Sequence, residues 1–248
     1  MVEQTFEDRS DAGRRLAAKL VRASVGKGSG LVLALSRGGV PVAYEVARAL
    51  RWPLDVLLVR RLGLPGREEI AMGAIASGRI GVLDEQMVGA LAVPCRVVDA
   101  VIAREARELE QSERALRGSK RPARLRGRPI VLVDEGMIVS STVIAAVEAV
   151  SRTGPSSITV GVPVASLEAY EELMGHVGAV ACVYAVPSLC SITQCYDELP
   201  WPTDGEVREL LEKATKACGF WRSFVRSPTR ATDSAPVATF RRPRTASA

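Results

Sequence analysis

The sequence predicts an α/β protein with a mostly parallel sheet and helices on both faces of that sheet. Short apolar runs that suit buried strands alternate along the chain with segments whose apolar residues recur at helical spacing. Strands that are separated by helices need crossover connections, and these join parallel strands. A chain of 248 residues with 47% hydrophobic residues can bury a full core. Ligands bind such sheets at the carboxyl ends of the strands, so the loops there are the first places to search for chemistry.

The elements of the first half follow from these patterns. Ser10 and Asp11 can cap a first helix, whose apolar face repeats every three to four residues. The apolar run from Gly30 to Leu35 suits a strand that is buried on both faces. The next predicted elements are a helix from Val40 to Leu50, a strand from Leu54 to Val59, and a hairpin made by Ala71 to Ala76 and Arg79 to Leu83.

The second half continues the alternation. Val97 to Leu116 is predicted to form a long charged helix, and Ile130 to Val133 a buried strand. The remaining predicted elements are a helix from Thr142 to Ser151, a strand from Ser157 to Val164, a helix from Leu167 to Met174 and a strand from Ala179 to Val186. We therefore expect one domain over residues 1–222.

Most of the net charge of +5 lies in the C-terminal segment, residues 223–248. This segment has five arginines and one aspartate, a net charge of +4, which leaves +1 for residues 1–222. It is rich in Ser, Thr, Pro and Ala and poor in large apolar residues, so we predict a basic disordered tail. The nearly neutral body makes nucleic-acid binding unexpected, apart from weak contacts by the tail.

Several functional classes lack their sequence signals. No apolar run approaches the roughly 18 residues of a membrane span, and the first residues lack a signal-peptide pattern, so we expect a cytoplasmic protein with no membrane contact. Five cysteines without a C-x-x-C pair indicate free thiols rather than disulfides or a zinc site. The chain has no Walker sequence and no glycine-rich dinucleotide fingerprint after a strand.

The most informative segment is residues 130–142, an apolar strand that ends in Asp134 and Glu135. A loop of small residues follows and opens a helix near Thr142. Unpaired N–H groups at a helix N-terminus, together with the helix dipole, favour a bound phosphate. Two adjacent carboxylates are costly to bury unless sugar hydroxyls or a nearby Mg2+ compensate them. A simple acidic turn followed by a helix cap is the alternative interpretation.

This segment resembles the phosphoribosyl pyrophosphate motif of type I phosphoribosyltransferases, which has a hydrophobic run, two acids and a phosphate loop. Residues 33–43 resemble the family's pyrophosphate loop, residues 55–63 the next strand, and residues 69–75 the stretch after its flexible loop. The similarity extends over residues 6–207 and is greatest to uncharacterised bacterial proteins with this domain. The resemblance implies the family's fold, with a small hood or flexible-loop region.

The resemblance also implies roles for particular residues. Asp134 and Glu135 would act in catalysis by holding the ribose 2- and 3-hydroxyls. The 5-phosphate would lie in the loop formed by Gly136, Met137, Ile138, Val139, Ser140, Ser141 and Thr142. The pyrophosphate would be received by Ser36, Arg37, Gly38 and Gly39, with a further cation from Arg60 or Arg61. Mg2+ is the implied cofactor, bound mainly through the diphosphate of the substrate and not by direct protein ligands.

The phosphate loop departs from the family pattern. Where the motif usually has Ala-Thr-Gly, this chain has Ile138, Val139 and Ser140. Loss of one charge-assisted hydrogen bond costs about 1.5 to 3 kcal/mol. A Cβ at a position that needs positive φ would add about 1 kcal/mol or more, and we expect that cost at Ser140.

Two functions therefore stay open. The first is a Mg2+-dependent transferase that moves ribose 5-phosphate from phosphoribosyl pyrophosphate to an unidentified nitrogenous acceptor, and it would also bind nucleoside monophosphates. The second is a catalytically inactive module of the same fold that binds a nucleotide or phosphosugar and acts through a partner. The family resemblance is compatible with a homodimer in either case.

Overall fold

The structure is a computed structural model that describes residues 5–23, 25, 28–77, 80–117 and 122–222. The predictions for the basic tail and for Arg79 fall outside these residues. Within the described ranges the chain forms eight β-strands and seven α-helices. No helix in this part of the chain is long and apolar enough to cross a membrane.

Five strands form the predicted parallel sheet. In order across the sheet they are β2 (Leu54–Val56), β1 (Leu31–Ala34), β6 (Pro129–Val133), β7 (Ser157–Ser166) and β8 (Val180–Val186). All four neighbouring pairs are parallel. β6 is the middle strand, so the residues that follow it lie at the centre of the sheet's carboxyl edge.

Helices cover both faces of this sheet, as the sequence predicts. The helices are α1 (Arg9–Arg22), α2 (Gly39–Leu50) and α7 (Asp204–Arg222) on one face, with α5 (Ser141–Ser151) and α6 (Leu167–Met174) on the other. Side chains alternate along a strand, and β1 shows this directly. Val32 packs into the core with α1, α2 and α7, whereas Leu33 packs into the core with α5 and α6.

Three further strands make an antiparallel sheet: β3 (Val59–Leu64), β4 (Arg67–Ala76) and β5 (Ile80–Leu83). The predicted hairpin is thus present, but the prediction of one strand from Leu54 to Val59 is wrong. The parallel strand ends at Val56, and Val59 begins β3. The physical reason lies between them, because the N–H of Leu58 donates to Ser77 Oγ at 2.8 Å, and the chain thereby passes from one sheet to the other.

Two helices follow β5: α3 (Glu85–Ala90) and α4 (Cys95–Arg117). The long charged helix predicted from Val97 to Leu116 is therefore confirmed, whereas α3 and α7 were not predicted. An apolar cluster that includes Leu62, Met72 and Val101 packs α4 against the antiparallel sheet. At the end of α4, buried Arg117 lies 2.9 Å from Asp55 and donates to the carbonyl of Val56 at 2.6 Å.

The cap of the first helix differs from the prediction. Asp8 is the cap, since its carboxylate accepts the N–H of Asp11 at 2.7 Å and its backbone is extended, with φ −153°. Ser10 and Asp11 lie inside the first turn, where Asp11 pairs with Arg15 at 2.8 Å. The helix therefore starts earlier than expected, and its first residue, Arg9, is buried.

Residues 187–203, which we call the hood segment, follow β8 and pack against the N-terminal segment. Phe6 and Tyr196 form an isolated parallel bridge, and the N–H of Phe6 donates to the carbonyl of Cys195 at 2.9 Å. The ring of Phe6 lies 5.2 Å from the ring of Tyr184 and 5.2 Å from the ring of Tyr196. This packing holds the hood segment beside the carboxyl edge of the sheet.

Candidate functional site

Asp134 directly follows the central strand β6 and faces the loop after β1. Its Oδ1 accepts the hydroxyl of Ser36 at 2.5 Å and the N–H of Glu135 at 2.9 Å. Ser36 Oγ in turn accepts the N–H of Gly39 at 2.8 Å. The second oxygen, Oδ2, accepts no hydrogen bond from the described residues. Burial raises the pKa of Asp134 to about 6, and the two hydrogen bonds offset only part of that rise.

Glu135 is turned toward a different partner. Its Oε2 lies 2.5 Å from Nε of Arg9, and the two side chains are only 9% and 8% exposed. Its backbone carbonyl accepts the hydroxyl of Tyr196 at 2.6 Å. Burial raises the pKa of the Tyr196 phenol far above its usual range, so the phenol stays a donor. The predicted role of Glu135 toward the ribose stays a prediction.

Sequence reasoning missed Arg9. A signal was present, because Arg9 shares the buried face of α1 with Ala12, Gly13 and Leu16. A cation on the apolar face of an amphipathic helix requires a buried partner. The partner itself could not be found in this way, since Glu135 lies 126 residues further along the chain.

The predicted 5-phosphate loop is fixed at one end and has free donors at the other. The N–H of Met137 donates to the carbonyl of Val164 at 2.9 Å, and its carbonyl accepts the N–H of Ser166 at 2.8 Å. The hydroxyl of Ser166 donates to the carbonyl of Ile138 at 2.7 Å. By contrast, the N–H groups of residues 138–143 donate no hydrogen bond to any described residue. These groups lie at the start of α5, where a helix favours an anion.

Ser140 is the residue that departs most from the family's phosphate loop. Its φ of −80° is an ordinary right-handed value, so the prediction of backbone strain at this position is wrong. The side chain is buried, and its hydroxyl donates to Oε2 of Glu172 on α6. The hydroxyls of Ser141 and Thr142 make no hydrogen bond with described residues, so these two are the side-chain donors left in the loop.

The predicted pyrophosphate loop, residues 36–39, lies directly against the acid pair. A Cβ on Gly38 would be 2.2 Å from Oε2 of Glu135, so this position has no room for a side chain. A Cβ on Gly39 would be 2.9 Å from Oδ1 of Asp134. Arg37 projects from the loop and pairs with Asp204, at the start of α7, at 2.8 Å. The fold therefore brings residues 36–39 together with both acids.

Arg60 and Arg61 have a different setting from the one predicted. They lie on β3 in the antiparallel sheet and not at the end of a parallel strand. Nη1 of Arg60 is 2.6 Å from Glu108 and 3.3 Å from Glu105, both on α4. Arg61 is exposed and lies opposite Ala74 in the ladder. Their role as cations for the pyrophosphate stays a prediction.

A cavity of about 370 Å³ lies on the far side of Arg9. It is lined by Arg9, by acidic and proline residues of the hood segment, and by the first turns of α7. Trp201, 71% exposed, places its ring 5.8 Å from the guanidinium carbon of Arg9. Arg9 lines both the cavity and the candidate site, whereas no residue of 36–39 or 136–142 lines the cavity.

The geometry defines a class of protein before any comparison. The middle strand of a parallel sheet ends in a carboxylate, one oxygen of which accepts no hydrogen bond from the described residues, and the next helix begins with N–H groups that donate to none of them. A glycine loop from the neighbouring strand closes the same edge. This is an α/β protein whose sheet edge is suited to an anionic ligand that also carries hydroxyls.

Comparison with known proteins gives the family. A family model described as "Phosphoribosyl transferase domain" matches residues 4–183, so the chain belongs to the phosphoribosyl transferase domain family. Two proteins from strains of Mycobacterium tuberculosis, each named "Putative phosphoribosyl transferase", are 35% identical over 209 residues, which is 84% of this chain. Those residues make up 47% of each relative, so the chain spans about half of their length.

A solved structure supports the same fold. The crystal structure of TT1426 from Thermus thermophilus is similar, with a TM-score of 0.76 and 36% sequence identity. The similarity covers 85% of this chain and 99% of that chain. The α/β fold with a mostly parallel sheet is thus established both by the described elements and by a relative.

Proposed function

We propose that the chain binds phosphoribosyl pyrophosphate and transfers its ribose 5-phosphate unit to a nitrogenous acceptor. The proposal rests on one observation, which holds for the described residues: Oδ2 of Asp134 accepts no hydrogen bond, the N–H groups of residues 138–143 donate none, and both lie at one edge of the sheet. A phosphosugar would donate hydroxyls to the Asp134 carboxylate and place its phosphate on the N–H groups. Family membership supports transferase chemistry in general and leaves the acceptor open.

The 5-phosphate would bind at the start of α5. Backbone N–H groups there need an acceptor, and the positive end of the helix dipole favours an anion. The hydroxyls of Ser141 and Thr142 would add two donors. Val139 would add none, although its side chain is 66% exposed where the family motif has a hydroxyl. We therefore expect weaker phosphate binding than in relatives with Thr at this position.

The ribose and the diphosphate would lie between this loop and residues 36–39. Oδ2 of Asp134 would accept a hydrogen bond from a ribose hydroxyl. Arg37 would give up its ion pair with Asp204 and bind the diphosphate instead. The cost is small, because an exposed ion pair of this kind contributes only about 0.2 to 1 kcal/mol. Mg2+ would be bound by diphosphate oxygens and waters. The described residues contain no group of three or more acidic, Cys or His side chains that could hold a metal ion.

The reaction would be a displacement at the anomeric carbon. The bond from that carbon to the pyrophosphate oxygen breaks, a bond to the acceptor nitrogen forms, and the nitrogen loses a proton. The transition state has oxocarbenium character at the anomeric carbon, while negative charge develops on the departing pyrophosphate. Arg37 would stabilise that negative charge, and the N–H groups of residues 138–143 would hold the 5-phosphate and so orient the ribose. A homodimer, which the family resemblance suggests, and a cytoplasmic location, which the sequence pattern predicts, complete the proposal.

A second candidate is an inactive module of the same fold that binds a nucleotide or phosphosugar. Val139 favours it, because an apolar side chain replaces a phosphate donor. Ser140 favours it too, because its hydroxyl is held by Glu172 and cannot replace that donor without breaking this bond. Such a module would bind the ligand and show no turnover.

Calorimetric titration of the full chain with phosphoribosyl pyrophosphate and Mg2+ tests the proposal. We expect micromolar binding by the wild type and at least tenfold weaker binding by Asp134→Asn, which keeps the shape and removes the charge. The matched control is Asp99→Asn, on an exposed face of α4, which should bind like the wild type.

Turnover separates the two candidates. Release of pyrophosphate in the presence of a panel of nucleobases would support the transferase, whereas tight binding without pyrophosphate release by any base would favour the inactive module. No binding of phosphoribosyl pyrophosphate by the wild type would reject the proposed function.

A further inference from the structure

We propose that Arg9 is a positioning residue that commits Glu135 to a structural role and leaves Asp134 as the one acid of the pair that meets the ribose hydroxyls. This inference rests on the proposed function, because it assigns different roles to Asp134 and Glu135 within the same site. It assigns to the first helix a part in the site that no motif in the sequence suggests.

The first support is the position of the Glu135 carboxylate. Its two oxygens and its carboxyl carbon all lie 2.2 to 2.3 Å from the point where a Cβ on Gly38 would be. The carboxylate is therefore packed under the turn that begins α2. Its side chain is 9% exposed, so little of it is accessible to a substrate.

The second support is the number of contacts that hold Arg9 in place. Nε pairs with Glu135 at 2.5 Å, and Nη1 donates to the carbonyl of Pro200 at 2.5 Å. The guanidinium also stacks over the ring of Trp201 at 5.8 Å. A planar guanidinium with two fixed donors has one orientation, so it aims the carboxylate in one direction.

The third support is that both the carboxylate and the backbone carbonyl of Glu135 are held by other residues. The carboxylate is bound by α1 through Arg9, and the carbonyl is bound by the hood segment through Tyr196 at 2.6 Å. Asp134 has the opposite arrangement, with hydrogen bonds to Oδ1 alone and Oδ2 left for a ligand. The two adjacent acids therefore do different work.

Arg9 also controls the electrostatics of Asp134. Burial is the main cause of the raised pKa of Asp134, and the charge of Glu135 adds a smaller rise; Arg9 is the cation that pairs with that charge. Loss of Arg9 would leave a buried, uncompensated carboxylate next to Asp134. Like charges in close contact favour protonation of one of them, so Asp134 would hold its proton to higher pH.

The test compares the full-length wild type with Arg9→Met, Arg9→Lys and the double variant Arg9→Met/Glu135→Gln. Titration of the Asp134 carboxyl carbon by NMR, without ligand, gives the first readout. Calorimetric titration with phosphoribosyl pyrophosphate and Mg2+ at pH 7 gives the second. Arg14→Met is the matched control on the same helix, because Arg14 is 49% exposed.

We expect Arg9→Met to raise the Asp134 midpoint by about one pH unit or more. It should also weaken ligand binding at pH 7, because less Asp134 is then charged: about twofold if the midpoint rises by one unit to about 7, and about tenfold if it rises by two units to about 8. Removal of the second charge in Arg9→Met/Glu135→Gln should restore both values to near those of the wild type. Arg9→Lys, which keeps the charge, should lie closer to the wild type and serves if Arg9→Met does not fold.

Three results would overturn the inference. A double variant that binds as weakly as Asp134→Asn would make Glu135 a direct ligand. A lower melting temperature for Arg9→Met, with both readouts unchanged, would give Arg9 a purely structural role. An unchanged Asp134 midpoint in Arg9→Met would show that Arg9 does not act on Asp134. If the wild type fails to bind phosphoribosyl pyrophosphate, the proposed function fails, and the NMR titration still decides the role of Arg9.

Discussion

Gly38→Ala tests how tightly the pyrophosphate loop is packed on the acid pair. The backbone at Gly38 has φ −66° and ψ −28°, which alanine adopts without strain. At such a position a change from Gly to Ala stabilises a protein by about 0.4 to 1 kcal/mol when there is room. Any loss of stability would therefore come from the new methyl group and not from the backbone.

The structure gives the size of that loss. The methyl carbon would lie 2.2 Å from Oε2 of Glu135, whereas ordinary contact begins at 3.4 Å. The carboxylate must retreat by about 1 Å, which its 2.5 Å pair with Arg9 does not allow without weakening. Overpacking costs about 1 to 3 kcal/mol, and loss of one partner from a buried ion pair costs about 3 to 5 kcal/mol. We expect Gly38→Ala to destabilise the protein by about 3 kcal/mol.

Equilibrium denaturation in urea measures this free energy of unfolding. The matched control is Gly178→Ala, because a Cβ there has no atom within 4 Å, and it should change stability by less than about 0.5 kcal/mol. In a Glu135→Ala background, Gly38→Ala should be neutral or slightly stabilising, since the obstacle is gone. A cost below about 0.5 kcal/mol for Gly38→Ala in the wild type would refute the packing argument.

Three further predictions concern charge, phosphate binding and burial. The pKa of Asp134 is about 6 in the folded chain and near 3.8 in the unfolded chain, so its contribution to stability falls as pH rises between these values. Asp134→Asn should thus become more stable than the wild type by about 2 to 3 kcal/mol above pH 6 and lose this advantage below pH 4, as urea denaturation across that range will show. Val139→Thr adds a hydroxyl to the phosphate loop and should tighten phosphoribosyl pyrophosphate binding about tenfold in calorimetry, whereas Val139→Ala should not. Arg117→Met leaves Asp55, whose side chain is 14% exposed, without its cation and should cost about 3 kcal/mol by denaturation, against less than about 0.5 kcal/mol for the exposed Arg114→Met.

The regular part of the fold could be predicted from the sequence because it depends on local patterns. The apolar run at Ile130 marks the central strand to within one residue, since a strand buried on both faces has no polar position. The change of sheet after Val56 could not be predicted in this way. The apolar run continues there, and the hydrogen bond from Leu58 to Ser77 that redirects the chain joins residues 19 apart.

One missed element had a signal in the sequence. The start of α7 is a capping box, in which the Thr203 hydroxyl accepts the N–H of Glu206 at 3.2 Å and the Glu206 carboxylate accepts the N–H of Thr203 at 2.7 Å. A Thr followed three residues later by Glu is the expected pattern for such a cap. The prediction overlooked this pattern, so α7 was missed.

The candidate site could be predicted in part. The acid pair and the start of α5 lie within one continuous segment, so their proximity follows from the sequence. The pairing of Glu135 with Arg9 and the bond from Ser140 to Glu172 join residues that are distant in the chain, and no local pattern encodes them. The resemblance therefore located the site, and the tertiary contacts determine what each acid can do.

The proposed function requires that the N–H groups at the start of α5, which donate to no described residue, bind the phosphate of a phosphosugar. Backbone amide NMR of the full chain, titrated with ribose 5-phosphate and in parallel with ribose, tests it most directly. We predict saturable shifts of the amides of residues 138–143 with ribose 5-phosphate and no such shifts with ribose. Ribose 5-phosphate shifts confined to other residues, or absent altogether, would contradict it.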